Sequence, residues 1–322
     1  MSTTKEKVLV VGGAGYIGGI TCDCLRRDGF DVAVYDTLLY ENRFLKDIPF
    51  FHGDVRDTEK LKTVAEDFDV VVLMAALVGD PACNINPTLT EEINHQAIKR
   101  FCESVTPGKH IIFMSTCSVY GAQEGILNEE SPVNPLSSYA STKLVAEDYI
   151  RKHSHTIFRL GTVFGLGDEH SRIRMDLVVN LLTMRAVGLG ELTIYGGDQW
   201  RPIIAVRDIA EYVVEACRDR HNGTFCLLKE NVNIRELGEK VSKLVPGTKI
   251  KYTEISFQDA RNYRVDNSKS MKVFKYRPVV TVEDEVERMI KIFREKRIEN
   301  PEDKLYNNSA FLRSKSEQNK FI

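Results

Sequence analysis

Tyr139 and Lys143 open the stretch Tyr139-Ala-Ser-Thr-Lys143, and a spacing of four puts two side chains on one face of a helix. An ammonium beside a phenol favours the phenolate, so a tyrosine whose ordinary pKa is about 10 becomes usable as an acid and base near neutrality. Upstream, Ser115-Thr116-Cys117-Ser118-Val-Tyr-Gly121 follows the apolar run 111–114 and places hydroxyls where a strand would end. Such hydroxyls can hydrogen-bond the oxygen whose proton the tyrosine takes. A Tyr and Lys four apart also occur on ordinary exposed helix faces, so the pair gains its meaning from what surrounds it.

What surrounds it is a dinucleotide-binding pattern. The strand-like run 7–11 leads into Gly12-Gly-Ala-Gly15-Tyr16-Ile17-Gly18, where glycines allow a tight turn, a close approach of backbone N–H groups to a pyrophosphate, and close packing of helix on strand. A second strand-like run, 31–35, ends at Asp36, about 20 residues beyond the glycines, where a carboxylate binds the adenosine ribose of NAD and repels the 2′-phosphate of NADP. Gly53-Asp54-Val55-Arg-Asp57 follows a third short run, with Asp54 placed for the adenine side and Asp57 equally readable as a helix N-cap.

Short, nearly all-apolar runs at 8–11, 32–35, 70–74, 111–114 and 156–160 alternate with helical patterns. That order predicts an α/β fold, a doubly wound parallel (Rossmann) sheet whose ligands sit at the carboxyl ends of the strands. The expected organisation is a nucleotide-binding domain over 1–165 with sheet returns near 200–230, and a smaller C-terminal α/β substrate-binding lobe over 166–298. A tail without periodicity is expected over 299–322. Val206-Arg-Asp208 is expected to begin a helix capped by its acid, and 188–190 and 196–201 to be hairpin or loop.

The 322 residues carry 44 Lys+Arg against 46 Asp+Glu, a net charge of −2, which gives no basic field for nucleic acid or an anionic membrane. Seven cysteines in apolar contexts fit a reducing compartment rather than a disulfide framework. Cys22 and Cys24 have no second pair at zinc spacing, so no metal is expected. Neither a leader-like nor a membrane-length apolar stretch is present, and a cytoplasmic protein is expected.

Taken in order, the glycine loop, Asp36, Gly53-Asp54, Ala75-Ala76, Asn94, Ser115-Thr116-Cys-Ser-Val-Tyr-Gly121, Tyr139/Lys143, Arg159-Leu-Gly-Thr162-Val-Phe-Gly165 and Gln199-Trp-Arg201 resemble the extended short-chain dehydrogenases/reductases of the NAD-dependent nucleotide-sugar epimerase/dehydratase family, over about residues 6–295. The resemblance implies NAD held by Gly12, Gly15, Tyr16, Ile17, Gly18, Asp36, Asp54, Val55, Ala75, Ala76 and Asn94, with Tyr139 and Lys143 at its reactive end. It implies a nucleotide-diphosphate sugar as substrate, Tyr139 as acid/base, Lys143 tuning it, and Thr116 as the hydroxyl beside it. Arg201 would grip the diphosphate, a group that guanidinium suits. Arg172, Arg174 and Arg261 are further phosphate candidates, and Cys117, Thr162 and Asn180 stand in substrate-side motifs. A homodimer through helices near 90–105 and 140–152 is implied as well.

Departures from the family pattern guide the choice of reaction. Where 4,6-dehydratases carry Asp-Glu after the catalytic Thr, this chain has Cys117-Ser118, which argues against elimination of water. Cys117 as a proton shuttle would sit one residue earlier than the cysteine of related 3,5-epimerases. Thr162 replaces an Asn, and Arg201-Pro202 an Arg-Asp pair. The segment 171–180 resembles members that act on sugars of surface polysaccharides. The expected activity is epimerisation, at C4 through a transient 4-keto sugar. A dehydrogenase or reductase with net redox is the alternative, and an NAD-binding regulator without catalysis a remoter one, disfavoured by an intact Tyr139, Lys143 and Thr116.

Overall fold

Successive residues of a strand face opposite ways, so a run that is apolar throughout demands cover on both faces of its sheet. The computed structural model, which describes residues 5–253 and 262–317, shows this arrangement. Seven strands lie in the order Gly223–Leu227, Ser154–Leu160, His110–Thr116, Val70–Leu73, Lys7–Val11, Asp31–Asp36, Phe50–His52, and every neighbouring pair is parallel. Leu9, Val11, Ala33, Tyr35, Val71, Leu73, Ile111 and Phe113 pack on one side beneath helices Thr58–Ala65, Ala97–Ser104 and Ser138–Ile150. Val8, Val10, Val32, Val34, Val70, Val72, Ile112 and Met114 pack on the other beneath Tyr16–Arg27 and Val206–Asp219. Each Val, Leu, Ile, Phe or Met among them contributes about 1.5–3 kcal/mol when fully buried, which fixes the register on both faces.

A second core gathers Phe164, Val179, Leu182, Ile194, Ile203, Val232 and Val286. Around it stand a three-stranded sheet, Glu230–Asn233, Trp200–Ala205 and Thr162–Phe164, and a two-stranded one, Lys249–Thr253 with Glu191–Tyr195. Helices Val178–Leu189, Ile234–Leu244 and Val282–Arg294 cover them.

Three local expectations differ from what is seen. Gly190, at φ +67°, ends a helix, and 200–201 begin a strand rather than a loop. Asp208 caps nothing: it is buried and accepts from the Tyr276 hydroxyl (2.5 Å) and the Val279 amide (3.1 Å), tying down the chain after 274. Residues 308–317, expected to lack fixed structure, form helix Asn308–Glu317 with Asn308 and Leu312 buried. Leu312 packs on Leu77, Ala82 and Cys83, and one anchored face of a ten-residue helix leaves little periodicity in a sequence.

All seven cysteines are buried and unpaired. Among the described residues no helix is long and apolar enough to cross a membrane.

Candidate active site

The glycine loop is built by close approach. Gly12 adopts φ +89°, and a Cβ there would lie 2.5 Å from the Ala75 nitrogen; a Cβ on Gly18 would lie 2.2 Å from the Gly12 carbonyl oxygen. Only glycine lets the first strand, the first helix and the end of Val70–Leu73 meet this tightly. Gly15 occupies the N-cap of helix Tyr16–Arg27 without a side-chain cap, so the amide-rich helix start faces a cavity of about 830 Å³. Asp36 lines the same cavity; its carboxylate accepts from the Ala14 amide (3.1 Å) and the Leu38 amide (2.8 Å), while burial raises its pKa. Asp54 also lines it, paired with Arg56 at 2.6 Å, and Asp57 caps the next helix through the Lys60 amide.

At the far wall stand Tyr139, Lys143, Ser115 and Thr116. The Ser137 hydroxyl accepts from the Ala140 amide (3.2 Å), fixing the start of helix Ser138–Ile150 so that Tyr139 falls in its first turn. Thr116 accepts from the Ser118 amide (3.1 Å), which turns its own proton toward other acceptors. Lys143 is 2% exposed, its ammonium lies 4.6 Å from the Phe113 ring centre, and it has no hydrogen-bond or carboxylate partner among the described residues. Burial pushes its pKa down to about 8. A buried cation without a partner is unfavourable, and a ligand hydroxyl would satisfy it.

Beneath this wall lies a network that single-residue motifs do not announce. Glu147, fully buried, accepts from the Ser115 hydroxyl (2.6 Å) and from Arg159 through two nitrogens (3.0 and 2.8 Å). Arg159 also donates to the Tyr120 hydroxyl at 3.0 Å. Tyr139, Lys143 and Glu147 recur every four residues, so one helix stripe carries both the site residues and the carboxylate that fixes the strand end opposite. That spacing was the available signal.

Of the other expected ligands, Gly12, Gly15, Tyr16, Ile17, Gly18, Val55, Ala75, Ala76, Thr162, Arg172, Arg174 and Arg201 line the cavity. Three lie elsewhere. Cys117 is fully buried in a separate cluster, its thiol donates to the Arg159 carbonyl, and burial raises its pKa far out of a proton shuttle's range. Asn94 uses its amide on both backbone groups of Leu77 (2.8 Å each), shaping the loop beside the cavity rather than lining it. Asn180 bonds both backbone groups of Gly165 and the Arg174 carbonyl, and is likewise a scaffold residue. Arg261 lies outside the described residues.

Several lining residues escaped sequence reading. Arg185 lines the cavity with Val178, Leu181 and Leu182 at helical spacing and has no polar partner among the described residues; a lone arginine in an apolar stripe was its signal. Asp176 pairs with Arg174 at 2.7 Å. Asn307, Asn308 and Ser309 line the cavity from the C-terminal segment, with no local signal at all.

A helix start without a side-chain cap, a carboxylate at the end of the second strand and an orphaned buried ammonium together fit a nicotinamide dinucleotide. The model of the NAD dependent epimerase/dehydratase family matches residues 8–234, more than half of the chain, and the chain belongs to that family. It is an NAD-dependent enzyme. A UDP-glucose 4-epimerase of Halalkalibacterium halodurans is 37% identical over 254 residues, covering 68% of this chain and 74% of that enzyme. The uncharacterized UDP-glucose epimerase YtcB of Bacillus subtilis is 28% identical over 316 residues, covering 86% and 95%. Among solved structures, the UDP-glucose 4-epimerase of Thermus thermophilus in complex with NAD superposes with a TM-score of 0.76 at 25% identity, over 90% of this chain and 99% of that one.

Proposed function

We propose that this enzyme is a nucleotide-sugar epimerase acting at C4 through a transient 4-keto sugar, with Tyr139 as the acid and base. The observation that carries this reading is the wall formed by Tyr139, Lys143 and Thr116 at the end of strand His110–Thr116, with Cys117 turned into the core and no carboxylate at 117 or 118. NAD, when bound, supplies the acceptor and then the donor of the hydride at the sugar carbon. Tyr139 takes the proton of the C4 hydroxyl and later returns it, Thr116 donates to the C4 oxygen, and the Lys143 ammonium favours the phenolate. Arg201 and Arg185, which line the cavity from the wall built by the second core, would hold an anionic diphosphate while the sugar turns. Without an acid at 117 or 118, elimination of water has no proton donor at the position where dehydratases carry one.

The same reading places the protein in the cytoplasm as a homodimer, paired through the helices Ala97–Ser104 and Ser138–Ile150. Its test is incubation with UDP-, GDP-, CDP- and dTDP-sugars, following absorbance at 340 nm and resolving products by mass spectrometry and NMR. The expected product is a C4 stereoisomer of unchanged mass with no accumulation of NADH, and Tyr139→Phe is expected to bind NAD but lose about two to four orders of magnitude in kcat. Stoichiometric NADH with a product two mass units lighter would replace epimerase by dehydrogenase. Wild-type turnover in Tyr139→Phe would remove the tyrosine from the chemistry.

A further inference from the structure

The C-terminal segment lies outside the family-matched residues 8–234, yet it enters the cavity wall and holds one of its cations. Asn308, 1% exposed, is its hub. Its side-chain NH2 donates to the Val78 carbonyl at 3.0 Å, its backbone amide donates to Asp176 at 2.9 Å, and its side-chain oxygen accepts from Arg172. Arg172 donates further to the Leu305 carbonyl (2.6 Å), and the Met175 amide donates to the Tyr306 carbonyl (2.9 Å). Three other parts of the chain thereby meet on this segment: the loop after Val70–Leu73, the arginine stretch 172–176, and Tyr40, whose ring centre lies 5.0 Å from that of Phe311.

Two arginines and two carboxylates meet here, and the Glu41 carboxylate accepts from the Arg172 backbone amide (2.7 Å) rather than from its guanidinium. Arg174 is matched by Asp176, but Arg172 is not paired with a carboxylate side chain among the described residues; its guanidinium lies 3.8 Å from the centre of the Tyr40 ring. Burial and the neighbouring Arg174 push its pKa down to about 10 against the opposing pull of Tyr40, Asp176 and Glu41. The Tyr40 hydroxyl, buried and lining the same cavity, has no hydrogen-bond partner among the described residues. A guanidinium in no direct ion pair beside a hydroxyl lacking an acceptor is a site for an oxyanion, and the ligands proposed for this cavity each carry a diphosphate.

We propose that Asn308 is a positioning residue that completes a diphosphate site, fixing Arg172 against Tyr40 so that the two present one cation and one hydroxyl to a dinucleotide or nucleotide diphosphate. The inference rests on the nucleotide-binding part of the functional reading and not on the epimerisation. Asn308, although on the cavity wall, acts through its neighbours. It sets the arginine fork and, through Val78, the loop on the opposite side.

Binding separates this from activity. Titration calorimetry with NAD and, separately, with UDP, on the full-length protein stripped of nucleotide, would compare wild type, Asn308→Ala, Arg172→Ala and the double variant, with Ser314→Ala as the control on the same helix. Asn308→Ala is expected to weaken one diphosphate ligand by about tenfold to hundredfold, the range of a charge-assisted hydrogen bond. The salt dependence of that binding should flatten, and the double variant should bind no worse than Arg172→Ala. Loss confined to NAD assigns the site to the cofactor; loss confined to UDP assigns it to the substrate. Unchanged affinity for both in Asn308→Ala, or additive losses in the double variant, would overturn the proposal. Should Asn308→Ala melt much earlier than wild type, Arg172→Lys decides: it leaves the helix in place and keeps the charge, and retention of wild-type affinity would sink the idea. None of these outcomes depends on whether the turnover product is a stereoisomer.

Discussion

At the scale of the residue, Lys143 shows how a site can be set against stability. Its ammonium is buried beside Phe113 without a carboxylate, and its pKa in the folded protein stands at about 8 against 10.5 when unburied. Below pH 8 the lysine is charged in both the folded and unfolded states, and the folded state bears the whole cost. Between pH 8 and 10.5 the folded state releases its proton first, the unfolded state binds more protons, and stability rises with pH. Lys143→Met should therefore stabilise the cofactor-free enzyme by roughly 1–3 kcal/mol at pH 7, an advantage that shrinks as pH climbs through that window. Urea midpoints of both proteins at pH 7 and pH 10 would show it. Turnover should fall in the same variant, and a lower urea midpoint for the methionine at pH 7 would mean that the lysine is not a strained group.

At the scale of the element, the helix Ser138–Ile150 works because its inward stripe ends in a carboxylate. Glu147 holds Ser115 and Arg159 at once, locking the strand end that carries Thr116 to the helix that carries Tyr139. Arg159 is 3% exposed, so removing its partner leaves a buried charge alone. Glu147→Ala should cost about 3–5 kcal/mol, while Glu147→Gln, which keeps shape and two hydrogen bonds, should cost less and still lower kcat by loosening Thr116. Denaturant unfolding and initial rates would test both. If Glu147→Ala unfolds at the wild-type midpoint, the network does not hold the site together. This network also marks where reading from sequence stops. Runs such as 8–11 and 32–35 declare strands buried on both faces, and the glycine loop, Asp36 and the Tyr139/Lys143 pair are local patterns whose chemistry follows from spacing. Asn94, Asn180 and Cys117 were placed in the site because motifs name positions but not the direction of side chains. Asn308 and Asp176 were missed because their contact arises only when segments more than a hundred residues apart are brought together, while Arg185 carried only the faint signal of one arginine in an apolar stripe.

At the scale of the whole molecule, the sheet needs both of its faces covered, and the helices that cover it must then meet solvent or another chain. Ser138–Ile150 is apolar on more than its inner side. Ala140, Ala146 and Ile150 face the core, yet Val145 is 40% exposed and Leu136, just before the helix, is 51% exposed. At its border Tyr149, half-buried against the core, has the Lys152 ammonium 4.8 Å and the Lys99 ammonium 5.8 Å from its ring centre, linking this helix to Ala97–Ser104. An outward face of this composition is what a two-fold pairing of the two helices would bury, with apolar side chains at its centre and lysines able to extend to the rim. Val145→Arg would put two like charges near the axis and desolvate both. Sedimentation velocity should give a dimer for the wild type and a monomer for Val145→Arg, with NAD binding retained because Val145 is not on the cavity wall. A wild type that sediments as a monomer at micromolar concentration would leave this face without a partner copy, and a dimer that survives Val145→Arg would move the interface to another surface.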